Sequence, residues 1–146
     1  MNQRKLAKDY LNQSKIRLQT AKRVFEDKAY AYSVRQSQEA VELALKSSLR
    51  LVGIDFPKWH DVGEILIKEQ DKFPESFRSK IQKLASISEK LASLREFAMY
   101  GDESINKGPS SLFSKEDASI IMDQTEFCIE TVISLFEIFN KWFDNQ

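Results

Sequence analysis

The sequence is poor in residues that build most catalytic centres and most β-structure. Among 146 residues there are 4 Gly, 3 Pro, one cysteine and one histidine. A single cysteine, Cys128, excludes an intramolecular disulfide and any cysteine-based zinc cluster; among Phe127, Ile129 and Val132 it reads as a small buried hydrophobe. With His60 as the only imidazole, the remaining candidate metal ligands are scattered carboxylates without a ligand pattern, so no metal site is expected. Walker and dinucleotide-binding glycine patterns are absent too, and no cofactor is expected. Scarce glycine and proline leave few hairpin signals. No apolar run approaches membrane-spanning length, and Met1 to Lys5 lead into an amphipathic stretch rather than a signal peptide, so a cytoplasmic protein without membrane association is expected.

What the chain has in quantity is helical periodicity. Hydrophobic residues make up 42% of a chain of one-domain size, so residues 1–146 are expected to fold as one domain around a real core. Val34, Val41, Leu45, Leu49 and Val52 line one face of a helix over Ala29 to Val52, widened by Ala40 and Ala44. Gln38, Glu42 and Lys46 stand four apart on the opposite side, with Glu42 before Lys46 in the favoured order for an ion pair.

Before this segment, Leu6, Tyr10, Leu18, Ala21 and Phe25 predict a helix from about Asn2 to Asp27, joined to the next by a tight turn near Lys28. Gly53 is a natural C-cap. Asp61 with Glu64 has capping-box spacing and opens a short third helix, ending near Asp71. Phe77, Ile81, Leu84, Ile87, Leu91, Leu94 and Ala98 predict one continuous fourth helix after Pro74. Gly101 to Ser111 reads as a mobile surface loop. Ser114 and Asp117 then cap a fifth helix reaching about Phe143, whose apolar face is wide enough to suggest a partner surface. The expected fold is all-α: an antiparallel up-and-down bundle of about five helices, with Leu45, Leu91, Val132 and Phe136 buried.

Zero net charge conceals an asymmetry. Residues 1–50 hold eleven Lys or Arg against five Asp or Glu, whereas residues 114–146 hold two against seven. The basic half can attract phosphate, although Lys8, Lys15 and Lys22, seven apart, read more simply as a solvated helix stripe.

Gln38, Ala40-Val41-Glu42 and Ala44-Leu45-Lys46, followed by Gly53, Pro57 and His60-Asp61, resemble the central segment of HEPN (higher eukaryotes and prokaryotes nucleotide-binding) domains. The resemblance implies a homodimer of small helical bundles that binds a nucleotide or RNA and works with a minimal nucleotidyltransferase, as in toxin–antitoxin pairs. Some members are RNases with an Arg-x4-6-His motif, in which arginine holds phosphate and histidine handles the proton. Arg95 stands in that place here, but Tyr100 follows at +5, Asp102 at +7, and no histidine lies beyond. Tyrosine, titrating near pH ~10, is a poor proton shuttle at neutral pH. The resemblance therefore implies a ligand-binding protein with Arg95, Tyr100, Asp102, Glu42 and Lys46 as site residues. The alternative is a divergent, metal-independent RNase in which Arg95 works with Tyr100 or His60. Partner nucleotidyltransferases in the family can modify a tyrosine of the related Arg-x4-His-x-Tyr form, which brings Tyr100 forward as a modification candidate. Arg50, His60, Arg95, Tyr100 and Asp102 are expected to gather at one end of the bundle, where helix N-termini offer N–H groups to an anion.

Overall fold

A computed structural model describes residues 3–55 and 61–144, the side chains of residues 142–144 excepted. His60 and Trp59 lie outside the described residues. Among the described residues six α-helices follow in order: α1 Gln3–Glu26, α2 Tyr30–Leu51, α3 Val62–Lys68, α4 Glu75–Arg78, α5 Ile81–Tyr100 and α6 Lys115–Asp144. No strand occurs among the described residues.

The centre is α2, which packs on α1, α3, α5 and α6. Its direction fixes the others. α1 and α2 form a hairpin, and the first turn of α2 borders the same cleft as Ala98 and Met99 near the end of α5, so α5 runs antiparallel to α2. Arg4 near the start of α1 bonds Asn140 near the end of α6, and Lys22 pairs with Glu126 at 3.4 Å, so α6 runs antiparallel to α1. These four helices are the expected up-and-down bundle. Leu45, Leu91, Val132 and Phe136 are all buried in its core.

The α1–α2 interface differs from its sequence reading. The buried stripe of α1 is Ala7, Leu11, Ser14, Leu18 and Ala21, spaced alternately four and three apart. Leu6, Tyr10 and Phe25, expected to point inward, are only partly buried. Ser33, Ser37, Ala40, Ala44 and Ser47 of α2 repeat the same spacing, and small side chains on both helices bring the backbones together. Three hydroxyls donate across the seam: Ser14 to the Ala40 carbonyl at 2.6 Å, Ser33 to Ala21 at 3.0 Å and Ser47 to Ala7 at 2.6 Å. These three buried hydroxyls are thereby satisfied, as burial demands, whereas the buried hydroxyl of Ser37 has no partner among the described residues.

The turn between the two helices is as short as expected. Lys28 has φ +63°, its N–H donates to Phe25 and that of Ala29 to Val24, the paired bonds of a Schellman motif with lysine where glycine is usual. Lys28→Gly is accordingly expected to stabilise the protein by up to about 1 kcal/mol in denaturant unfolding. Gly53 occupies the equivalent position after α2, with φ +81°.

Between α2 and α5 the helices are shorter than expected. α3 stops at Lys68, and residues Gln70–Lys72 turn as a 3₁₀ helix. The fourth helix is split: Ser79 and Lys80 separate α4 from α5, while the Arg78 guanidinium donates to the Phe73 and Gln70 carbonyls at 2.7 and 3.3 Å. Phe77 and Ile81 are buried on either side of the break, so their spacing gives no hint of it. Asp61 caps α3 by accepting from Gly63 N–H at 3.0 Å. Ser114 and Asp117 form a reciprocal capping box at α6, with bonds of 3.0 and 3.1 Å.

Candidate functional site

Because α3 spans seven residues, about 10 Å, it does not carry the chain back across the bundle. α5 therefore starts at the pole where α2 ends and finishes at the opposite one, beside the α1–α2 turn. Arg50 lies twenty residues along α2 from Tyr30, about 30 Å of helix, and pairs with Asp55. The expected gathering of Arg50 with Arg95, Tyr100 and Asp102 at one end is thus corrected.

The pole that holds the end of α5 also contains a cleft of about 570 Å³. Lys28 to Tyr32, Arg35, Gln36 and Glu39 form one wall, and Ala98 and Met99 of α5 the other. Pro109, Ser110 and Phe113, from the segment leading into α6, complete it. The lining is mainly apolar and aromatic, with Lys28, Arg35 and Glu39 as its charges, a composition suited to a small ligand with one polar end.

Arg95 stands one turn before Met99 on α5 and is not itself part of the cleft lining. It is exposed and has neither a hydrogen bond nor an ion pair among the described residues. Tyr100 is 60% exposed on the last turn of α5. Asp102 is occupied locally: its carboxylate accepts from Ser104 N–H at 3.1 Å and from the Ser104 hydroxyl, capping a 3₁₀ turn over Glu103–Ile105. The segment expected to be a loose loop is tied on itself, with Asp102 N–H donating to Lys107 at 2.8 Å and Lys107 N–H to Asp102 at 3.0 Å.

Glu42 and Lys46 lie farther along α2, paired at 3.3 Å as their order suggests, in a shallow groove of about 190 Å³ shared with Arg17, Glu39 and Leu43. Gln38, expected on the charged side, is buried, and its amide donates to Glu42 at 3.4 Å. Glu39 lines both the groove and the cleft.

Sequence reasoning passed over Arg35, Tyr30 and Tyr32. A cation one turn into a central helix, next to two aromatics at its start, was the available signal. The Arg35 side chain is 15% exposed, and its Nη1 is buried with no hydrogen-bond acceptor among the described residues. Glu39 approaches Arg35 Nε only to 3.9 Å and accepts from the Gln36 amide at 3.1 Å.

Cys128 is buried in α6, and desolvation pushes its thiol from 9.0 up to about 12, with the positive charge of Lys83 acting in the opposite sense. Stability gained by burying the neutral thiol is fully present below 9.0 and is lost as pH climbs towards about 12. Cys128 should resist an alkylating reagent at neutral pH and react after unfolding, as intact-mass spectrometry would record. Among the described residues there is no cluster of potential metal ligands, and no helix is long and apolar enough to cross a membrane.

The molecule thus belongs to the all-α up-and-down bundles, with an exposed cation and an aromatic cleft at one pole. Residues 7–138 match the HEPN domain family model, and the chain belongs to that family. Membership carries a nucleotide- or RNA-related role in general. Among solved structures, the crystal structure of TT1696 from Thermus thermophilus is similar in fold, with a TM-score of 0.63 and 20% identity, covering 92% of this chain and 98% of that one. No curated protein matches the chain.

Proposed function

We propose that this HEPN protein binds a nucleotide or RNA phosphate at the α5 pole, as a homodimer working with a minimal nucleotidyltransferase in a toxin–antitoxin-like pair. The observation that carries the binding reading is Arg95: an exposed guanidinium fork without a hydrogen-bond or ion-pair partner among the described residues, one turn before Met99 in the lining of a cleft of ligand size. A planar fork of donors matches phosphate oxygens, and an uncommitted one has no internal bond to give up.

The basis for a dimer shifts. Ala118, Ile121, Thr125, Cys128, Ile129, Val132, Leu135 and Phe136 are buried within the chain, so the broad face of α6 is largely used by its own core. Exposed apolar side chains gather instead around the α5 pole, where Phe97, Met99, Tyr100 and Ile105 are 41–60% exposed. Pairing of two copies there would cover them and set two Arg95 side chains near one another.

Titration of labelled single-stranded RNA at several salt concentrations tests the binding reading, and no binding at low salt would defeat it. Sedimentation at micromolar concentration tests the dimer. Recovery of a nucleotidyltransferase with the protein from its native host tests the partner. RNA degradation by the purified protein would instead support the divergent RNase.

A further inference from the structure

We infer that the cleft between the start of α2 and the end of α5 is a pocket for a nucleoside phosphate, in which Arg35 takes the phosphate and Tyr32 stacks on the base. This inference rests on the nucleotide-binding reading above and assigns it a second anchor, separate from Arg95.

Arg35 is the central observation. A buried guanidinium normally has its donors matched, because leaving a charged donor without an acceptor is costly. Here Nη1 is buried without an acceptor among the described residues, while the nearest carboxylate oxygen is 3.9 Å from Nε and already accepts from Gln36. Glu39 therefore stands beside the arginine without satisfying it. An incoming phosphate would supply the missing acceptor once the guanidinium turns its fork towards the cleft that the residue lines.

The surroundings select what carries that phosphate. Lys28, held at the α1–α2 turn, adds a second positive charge to the same cleft. Tyr32 is half exposed and offers a ring face, while Met99 and Ala98 supply an apolar wall opposite. A flat heteroaromatic ring with an anionic group fits this division, and sequence-tolerant stacking on an aromatic side chain is the usual way of holding a single base. The volume of about 570 Å³ is in the range of small-molecule pockets and has room for one nucleotide. The unit is either a free mononucleotide or the terminal residue of a strand, since both present the same base and phosphate.

The test uses the full chain with methyl-labelled alanine and methionine, titrated by NMR with adenosine monophosphate and, separately, with a 5′-phosphorylated single-stranded RNA hexamer. At least one ligand should shift the methyls of Ala31, Ala98 and Met99. Arg35→Gln should weaken its binding about tenfold or more, and Tyr32→Ala about fivefold or more. Arg35→Lys keeps the charge without the fork and should lie between, which guards against loss of fold in Arg35→Gln. Shifts with adenosine monophosphate alone identify a free nucleotide, and shifts with the hexamer alone identify a strand end. Binding that depends on Arg95, with the cleft methyls unmoved and Tyr32→Ala neutral, would overturn the pocket and leave the proposed function standing. Absence of binding by either ligand at millimolar concentration would remove both.

Discussion

Gly101→Ala should cost roughly 3 kcal/mol or more and lower Tm by roughly 6–12 °C, read by thermal and urea unfolding. Gly101 follows the last turn of α5 with φ +73° and ψ −160°, a conformation essentially restricted to glycine. A Cβ there would lie 2.1 Å from the Lys107 carbonyl oxygen and 2.7 Å from the Gly108 carbonyl carbon. Both neighbours are backbone, and the Asp102–Lys107 bridge keeps them in place, so no side-chain rotation relieves the overlap. Gly108→Ala is the control. Its φ is −73° and nothing lies within 4 Å of an added Cβ, so the change should be nearly neutral. Equal losses for both would mean that the hairpin after α5 is not closed in this way. Because that hairpin leads directly into the wall of the cleft, Gly101→Ala should also disturb ligand binding, and Gly108→Ala should not.

The bundle was legible in the sequence because large apolar residues recur at helical spacing in each main helix. Gly53, Asp61 and the Ser114–Asp117 pair marked real ends by the bonds they make. In the first hairpin Leu18, Ala21 and the apolar face of α2 were read correctly, but Leu6, Tyr10 and Phe25 were taken as inward in place of Ala7, Leu11 and Ser14. Ser14, Ser33 and Ser47 count as polar in a hydrophobicity pattern, yet their small size lets two backbones meet, and the facing carbonyls satisfy their hydroxyls. The break before α5 was invisible for a different reason: Phe77 and Ile81 remain on the buried side across it. That short detour also decides polarity. A third helix long enough to cross the bundle would have brought Arg50 to Arg95, whereas a seven-residue α3 puts them at opposite poles. Among the proposed site residues, Arg95 and Tyr100 could be singled out by residue type and by their place relative to a motif. Arg35 could not, since what distinguishes it is a donor without an acceptor, and that is a property of the packed structure.

Arg95→Ala should weaken RNA binding about tenfold or more, the equivalent of one or two charge-assisted hydrogen bonds at about 1.5–3 kcal/mol each. The fold should not change, because the side chain is exposed and has no hydrogen-bond or ion-pair partner among the described residues. Asp102, the acidic residue grouped with Arg95 among the expected site residues, is committed to Ser104. Arg95 is thus free to reorient towards a phosphate, while Tyr100, largely exposed five residues later, lies about 140° round the helix from it. Lys15, an exposed member of the basic stripe on α1, provides the comparison. Diffuse attraction falls with net charge wherever the charge is removed, so Lys15→Ala would then cost as much as Arg95→Ala. A localised contact predicts a large loss for Arg95→Ala, with the salt dependence falling by about one phosphate, and a small loss for Lys15→Ala. Titrations of both variants at two salt concentrations decide between these cases, and equal losses would show that Arg95 marks no site.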